Sequence, residues 1–283
     1  MIMTPTKLID AQIHVWKSST PDRPWPLDAI EPQRPVPLEV PEVVDEMAGA
    51  GVSGALLLGP TWEGSRNDYV LEVAAADPTR FGAICRFATG DPEAVERLAQ
   101  WRDIAGMRAI RMSLNRGDVE GTLEAARRSG FFAAAERYGV PLSIYAPGRH
   151  DLYVGLAEEF PGLKIAVDHA AVETAEVPLP EAVAPLAALA RYPGIAVKAS
   201  ALPCFVREPH PFPSITEAIY RLVESFGAAR VFFGSDLSRL AVPYAELTDV
   251  FVGRLPALSE AERALVAGRA LTTWLGWPEP FDD

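Results

Sequence analysis

The chain has 283 residues, 49% hydrophobic and 23% charged, a globular composition long enough to bury a large core without disulfide staples. Its formal net charge of −12 excludes nucleic acid and anionic membrane as partners, since both need a basic surface. An anionic substrate is not excluded, because one arginine in a pocket outweighs a distant, screened field.

Eight short apolar runs alternate with longer amphipathic stretches. The first run is Leu8–His14, followed by a segment rich in proline and charge, Ser18–Pro41, and a helix over Pro41–Ala50 that opens on proline. Runs at Ala55–Leu58 and Phe81–Phe87 come next. A helix over Asp91–Trp101 has Asp91 as its N-cap and Pro92 at its first position. Met107–Met112 is the fourth run, Phe131–Tyr138 a helix ending at Gly139, and Pro141–Tyr145 the fifth run. Lys164–Asp168 precedes a helix over Pro180–Tyr192, and Ile195–Lys198 precedes the proline-rich loop Ala199–Pro213. A helix over Ser214–Phe226 ends at Gly227, Val231–Gly234 is the last run, and Ser259–Trp274 reads as one helix with a capping box at Ser259 and Glu262.

Apolar residues on successive positions mark strands buried on both faces of a parallel sheet. Eight of them alternating with helices predict an α/β fold, a closed (β/α)8 TIM barrel over residues 1–283 as one domain. An open doubly wound sheet is the alternative, but no glycine-rich phosphate loop follows any strand. Both long loops follow the carboxyl end of a strand, the face where barrels do their chemistry. Cys85 and Cys204 sit among apolar neighbours without metal-ligand spacing and read as reduced packing residues. Residues 1–10 lack the apolar core of a signal peptide and no apolar run reaches membrane-spanning length, so the expected location is the cytoplasm.

Three polar residues fall at the ends of different strands: His14, His169 and Asp236. Side chains alternate along a strand, so Gln12 shares a face with His14, and Asp10 is expected on the same side. Arg108 and Arg111 flank the fourth strand; either serves a substrate carboxylate or a rim salt bridge, with Arg111 nearer the catalytic end. Tyr145 stands ready to hold substrate by its hydroxyl or to cap the core. Lys198 is expected as a charged partner of Asp236 or of a bound carboxylate, less readily as a base or Schiff-base nucleophile. Trp25 and Trp62 lie on loops after the first two strands and would wall a pocket or pack an oligomer. His150 and His210 read as solvated.

These segments resemble a known superfamily. Asp10-Ala11-Gln12-Ile13-His14-Val15-Trp16 resembles the first-strand motif of the amidohydrolases, which carries His-x-His. Asp168-His169-Ala170 resembles their Asp-His-Gly motif, and Gly234-Ser235-Asp236 their Gly-Ser-Asp-Trp-Pro motif. Val197-Lys198-Ala199-Ser200 is similar to the Lys-x-Ser segment of the amidohydrolase-related branch that holds pyrone-dicarboxylate lactonase and sugar-lactone hydrolases. The sequence departs from the pattern at Gln12, where the first histidine is expected, at Tyr145-Ala146-Pro147, which lacks a metal-bridging residue, and at Asp236-Leu237-Ser238.

The resemblance implies a hydrolase that opens a lactone or similarly activated cyclic ester. Asp236 would be the general base, with His14, His169 and the Gln12 amide donating to the oxyanion. Glutamine is a weak ligand, so no cofactor is expected. The alternative is one divalent metal, zinc or manganese, held by His14, His169 and Asp236. A metal-dependent decarboxylase of an aromatic or unsaturated acid, or a metal-dependent hydrolase, is the other functional reading; a barrel without activity is the third. The implied partner is a small molecule, a carboxylate-bearing lactone, with no nucleic acid, no membrane and no assigned oligomeric state.

Overall fold

The computed structural model describes residues 7–25, 34, 37–277 and 280; the middle of the proline-rich segment predicted at Ser18–Pro41 lies outside them. Eight parallel strands pair in chain order: β1 (Leu8–His14), β2 (Val52–Leu58), β3 (Phe81–Cys85), β4 (Met107–Ser113), β5 (Leu142–Tyr145), β6 (Ile165–Val167), β7 (Ile195–Ser200) and β8 (Val231–Gly234). β8 meets β1 through the Asp236 N–H, which donates to the Gln12 carbonyl at 3.0 Å, and through Asp10, whose carboxylate accepts the Ser235 N–H at 3.0 Å. Helices alternate with the strands, and the fold is the expected (β/α)8 barrel.

The helices α1 (Val40–Gly49), α5 (Phe131–Tyr138) and α8 (Pro213–Phe226) lie where the apolar spacing placed them. Asp91 caps α3 (Pro92–Glu96) by accepting the Glu93 N–H. Three helices escaped the sequence reading: α2 (Asp68–Ala76), α4 (Val119–Arg128) and α9 (Tyr244–Gly253); α6 (His150–Glu159) follows β5 and starts at His150, directly after Gly148-Arg149. The helix expected over Pro180–Tyr192 is α7 (Leu179–Val183) followed by a tighter 3-10 stretch, Ala184–Arg191, because the Pro185 ring cannot continue the α-helical bonding. No helix among the described residues is long and apolar enough to cross a membrane.

Burial sorts the strand side chains into two sets. Ile9, Ala11, Leu56, Ile84, Ala109, Ala166, Ala196 and Phe232 fill the lower barrel interior, while Leu8, Ile13, Leu57, Ile110, Val167 and Phe233 pack outward against the helices. β1 changes parity. Its register against β2 slips between Asp10 and Ile13, so Ala11 and Gln12 both turn inward. This corrects the expectation that Asp10 shares a face with Gln12 and His14. Asp10 points outward instead, where its carboxylate accepts the Tyr244 hydroxyl from α9 and the Gln12 N–H at 2.9 Å.

The C-terminal segment plugs the barrel floor. The capping box at Ser259 and Glu262 starts α10 (Glu260–Ala264), but the single helix expected over Ser259–Trp274 is broken by a π-helical turn, Leu265–Arg269, before α11 (Ala270–Leu275). The cause is a close approach. A Cβ on Gly268 would lie 2.9 Å from the backbone nitrogen of Ile9 and 2.8 Å from its Cβ. Backbone cannot step aside, so Gly268→Ala is expected to destabilise by about 1–3 kcal/mol through overpacking. Urea unfolding checks this; an unchanged midpoint would show that the contact is not tight. Past α11, Trp277 is fully buried and donates Nε1–H to the Pro78 carbonyl at 2.8 Å, and the Arg108 guanidinium lies over its ring, 5.7 Å from the centroid. Arg108 therefore serves the floor of the barrel, opposite the catalytic face, and the substrate-binding role considered for it is withdrawn.

Candidate active site

Above the apolar floor the inward positions become polar. Arg111 of β4, Ser143 of β5, Asp168 after β6, Lys198 of β7 and Gln12 of β1 form one buried layer. Asp168 accepts from Lys198 at 2.9 Å and from the Ser143 hydroxyl at 2.8 Å, and it pairs with Arg111. The Gln12 carbonyl oxygen accepts from Arg111 at 2.9 Å and from Lys198 at 3.3 Å. Burial alone would raise the Asp168 carboxyl, but Arg111 and Lys198 outweigh it and hold the group well below the ordinary carboxylate range. Lys198 is thus the partner of Asp168 and not of Asp236. Fully buried below the cavity, it cannot reach a bound carboxylate.

The next layer opens into a cavity of about 370 Å³ at the carboxyl ends of the strands. His14, His169 and Asp236 meet on its floor. Asp236 Oδ1 is 3.4 Å from His14 Nε2, and Oδ2 is 3.6 Å from His169 Nε2. The loops after β6, β7 and β8 reach this arrangement through left-handed residues that are not glycine: His169 (φ 52°), Ala170 (φ 48°), Ala171 (φ 51°), Ala201 (φ 55°) and Asp236 (φ 53°). Such conformations cost roughly 1–3 kcal/mol each and concentrate at functional sites. Here they turn the side chain at a strand end back across the barrel mouth.

Hydrogen-bond partners constrain where each imidazole carries its proton. His14 Nδ1 lies 3.3 Å from the Gly59 carbonyl, which can only accept, so Nδ1 holds the hydrogen and Nε2 faces Asp236 as a bare acceptor. His169 Nδ1 lies 2.9 Å from the Ser200 hydroxyl, and its Nε2 lies 3.3 Å from the Gln12 amide nitrogen. Burial and then the Arg111 charge lower both imidazoles, His169 to about 3 and His14 well below its ordinary value. Both rings are neutral acceptors, which revises the expectation that they would donate to an oxyanion. Gln12, fully buried beneath the cavity, is revised with them: its amide serves His169.

Asp236 is fully buried, and among the described residues neither carboxylate oxygen has a hydrogen-bond partner. Burial raises its pKa to about 6. Arg239 and Arg111 oppose the shift, while Asp10 and Asp168 add to it.

The cavity wall contains residues that the sequence reading passed over. Arg86, one residue beyond β3, donates to Ser113 Oγ at 3.2 Å and to the Gly59 carbonyl and Thr61 Oγ1 at 3.5 Å, all neutral oxygens. Burial, with the Arg111 charge behind it, lowers Arg86 to about 9, so it stays cationic at neutral pH. Arg239 stands 3.6 Å from Asp236 Oδ2, and Asn115 and Arg116 follow β4 on the rim. Position after a strand end was the available signal for each.

Of the expected wall residues, Arg111, Tyr145 and Trp62 line the cavity. The Tyr145 hydroxyl is spent on the Val172 carbonyl at 3.0 Å, so only its ring, set edge-on to His169, faces inward; the expected hydroxyl contact is replaced by a wall. Trp25 does not line the cavity. It packs behind Trp62, ring centroids 6.3 Å apart, and donates to the Lys17 carbonyl. His210 pairs with Asp249 at 2.8 Å on α9, and His150 begins α6, both away from the cavity.

The family model described as Amidohydrolase matches residues 9–271. No curated protein matches the chain in sequence. Among solved structures, the chain is similar to a probable 2-pyrone-4,6-dicarboxylic acid hydrolase from Acinetobacter baumannii, solved with citric acid bound (TM-score 0.76, 16% identity, covering 95% of this chain and 99% of that one). It is also similar to an amidohydrolase from Burkholderia multivorans with bound zinc (0.77, 22%, 95% and 99%). A third similar structure is 5-carboxyvanillate decarboxylase from Sphingomonas paucimobilis (0.65, 19%, 96% and 99%).

Proposed function

The chain belongs to the amidohydrolase family, and from that premise we propose that it is a hydrolase opening a small lactone that carries one or more carboxylates. One observation carries the reading: a buried carboxylate, Asp236, without a hydrogen-bond partner among the described residues, on the floor of a cavity walled by Arg86, Arg111, Arg116 and Arg239. A carboxylate raised to about 6 is mostly ionised at neutral pH yet basic enough to accept a proton from water. The four guanidiniums suit a substrate bearing carboxylates. A similar structure is named for a dicarboxylic pyrone hydrolase and holds citric acid, which supports the same substrate class.

In the proposed reaction a water sits between Asp236 and His14 Nε2, both acceptors. Asp236 takes one proton as the water oxygen bonds to the lactone carbonyl carbon. The oxyanion forms against Arg239, which replaces the histidines as donor, while Arg86 is left to hold a substrate carboxylate. One such donor is worth about 2.7–4 kcal/mol of barrier. The intermediate then collapses: the ring C–O bond breaks, the leaving oxygen takes the proton back from Asp236, and a hydroxy acid departs.

The donors present do not suit a divalent metal. The Gln12 oxygen is turned onto Arg111 and Lys198, its amide group faces His169 Nε2, and Arg239 lies beside Asp236. Among the described residues no group of three His, Cys, Asp or Glu side chains is placed to hold a metal ion.

Arg86 provides the test. A hydrogen bond to a charged group is worth about 1.5–3 kcal/mol, so Arg86→Ala should raise KM for carboxylate-bearing lactones by about 10–100-fold. Neutral lactones should be nearly unaffected. Equal loss on both substrate types would remove Arg86 from carboxylate recognition. Release of carbon dioxide from an aromatic acid, without ring opening of any lactone, would replace the hydrolase reading by a decarboxylase.

A further inference from the structure

We propose that Gln12 is a positioning residue: held by Arg111 and Lys198, its amide caps Nε2 of His169, fixes that imidazole as the Nδ1–H tautomer and excludes a divalent metal from the site.

A carboxamide has one accepting end and one donating end. Two cations lie at the Gln12 Oε1, Arg111 at 2.9 Å and Lys198 at 3.3 Å, and both can only donate. The reversed amide would set its NH2 group against both charges. The oxygen end is therefore fixed, and the NH2 group must face His169 Nε2 at 3.3 Å. Two N–H groups would repel there, so Nε2 is bare and accepts. The ring proton then sits on Nδ1, where the Ser200 hydroxyl lies at 2.9 Å; the same hydroxyl lies 3.3 Å from the His169 backbone N–H.

The arrangement has a cost for metal binding. A metal ligand must present a free lone pair, and the Nε2 lone pair already holds an amide hydrogen. The residue that stands where a first metal-ligating histidine is expected acts instead on the second histidine. Arg111 and Lys198 cannot relax to release it, because both are also tied to the buried Asp168. This inference concerns the same site as the proposed function and rests on that reading only for calling the site catalytic. It is read without substrate, so the two can fail separately.

Nitrogen-15 NMR of the histidine rings tests it, with the His169 signals assigned by their loss in His169→Asn. In the wild-type protein Nδ1 should be protonated and Nε2 bare. Gln12→Glu is nearly isosteric and its carboxylate is matched by the two cations, so the variant should fold. It places an acceptor against Nε2 and should move the proton there. A purely structural role for Gln12 would lower the melting temperature and leave the tautomer unchanged. Calorimetry with zinc alone gives the second reading. The wild type should show no saturable binding at this site, and Gln12→His should show saturable one-site zinc binding that is lost when His169→Asn is added. Nε2–H in the wild type, an unmoved tautomer in Gln12→Glu, or one wild-type zinc released by His169→Asn would each overturn the proposal.

Discussion

Replacing Asp236 by asparagine should lower kcat by about 10²–10⁴-fold, the usual contribution of a positioned proton acceptor, while KM stays near its wild-type value. The amide keeps the shape and loses the basic oxygen. The sign of the pH effect follows from the raised pKa of about 6. Only the ionised form accepts a proton, so the wild-type rate should fall as pH drops through about 6 and stay level above it until another group titrates. Stability responds in the opposite sense. A carboxyl whose folded pKa exceeds its unfolded value destabilises the fold once ionised, so Asp236→Asn should melt no lower than the wild type at neutral pH. Rate and melting temperature on one preparation separate catalysis from folding. Near-normal kcat in this variant would remove Asp236 from the mechanism.

Asp168→Asn should have the largest effect on stability. Asp168 is the shared anion between Arg111 and Lys198, all three fully or almost fully buried. Removing one partner of a buried ion cluster leaves uncompensated charge and costs about 3–5 kcal/mol. Its folded pKa is depressed, so its contribution is complete above its unfolded value of about 3.9 and fades as pH falls through the folded value. Urea unfolding at neutral pH should show the full difference between wild type and variant, and the gap should narrow only in strong acid. A loss below about 1 kcal/mol would mean that water or rotation of Lys198 relieves the stranded charges. The same variant loosens the cations that hold Gln12, so Asp168 links the stability of the barrel to the shape of its site.

The barrel itself was legible in the sequence because strands buried on both faces repeat short apolar runs, and eight of them recur in order. Helix ends with local chemistry were legible too: Asp91 and Ser259 cap as read. α4 was missed although it is strongly amphipathic, because its buried side is narrow: only Leu123 and Ala126 are fully covered. The break near Gly268 was missed because it depends on β1, more than 250 residues earlier in the chain.

The sequence alone determined which residue types stand at the strand ends: His14, His169 and Asp236 sit where the chain leaves β1, β6 and β8, and strand periodicity is a local property. Only the tertiary structure decided what those residues do. The slip in β1 between Asp10 and Ile13 sends Asp10 outward and Gln12 inward. Closing the barrel joins Lys198 to Asp168 rather than Asp236, and Arg108 to the floor rather than the mouth. Left-handed turns at alanine, histidine and aspartate, which no glycine announces, aim the site. The physical reason is common to all of these. Hydrogen-bond partners and desolvation belong to side chains that meet in space from distant strands, and a partner's identity sets whether an imidazole donates or accepts.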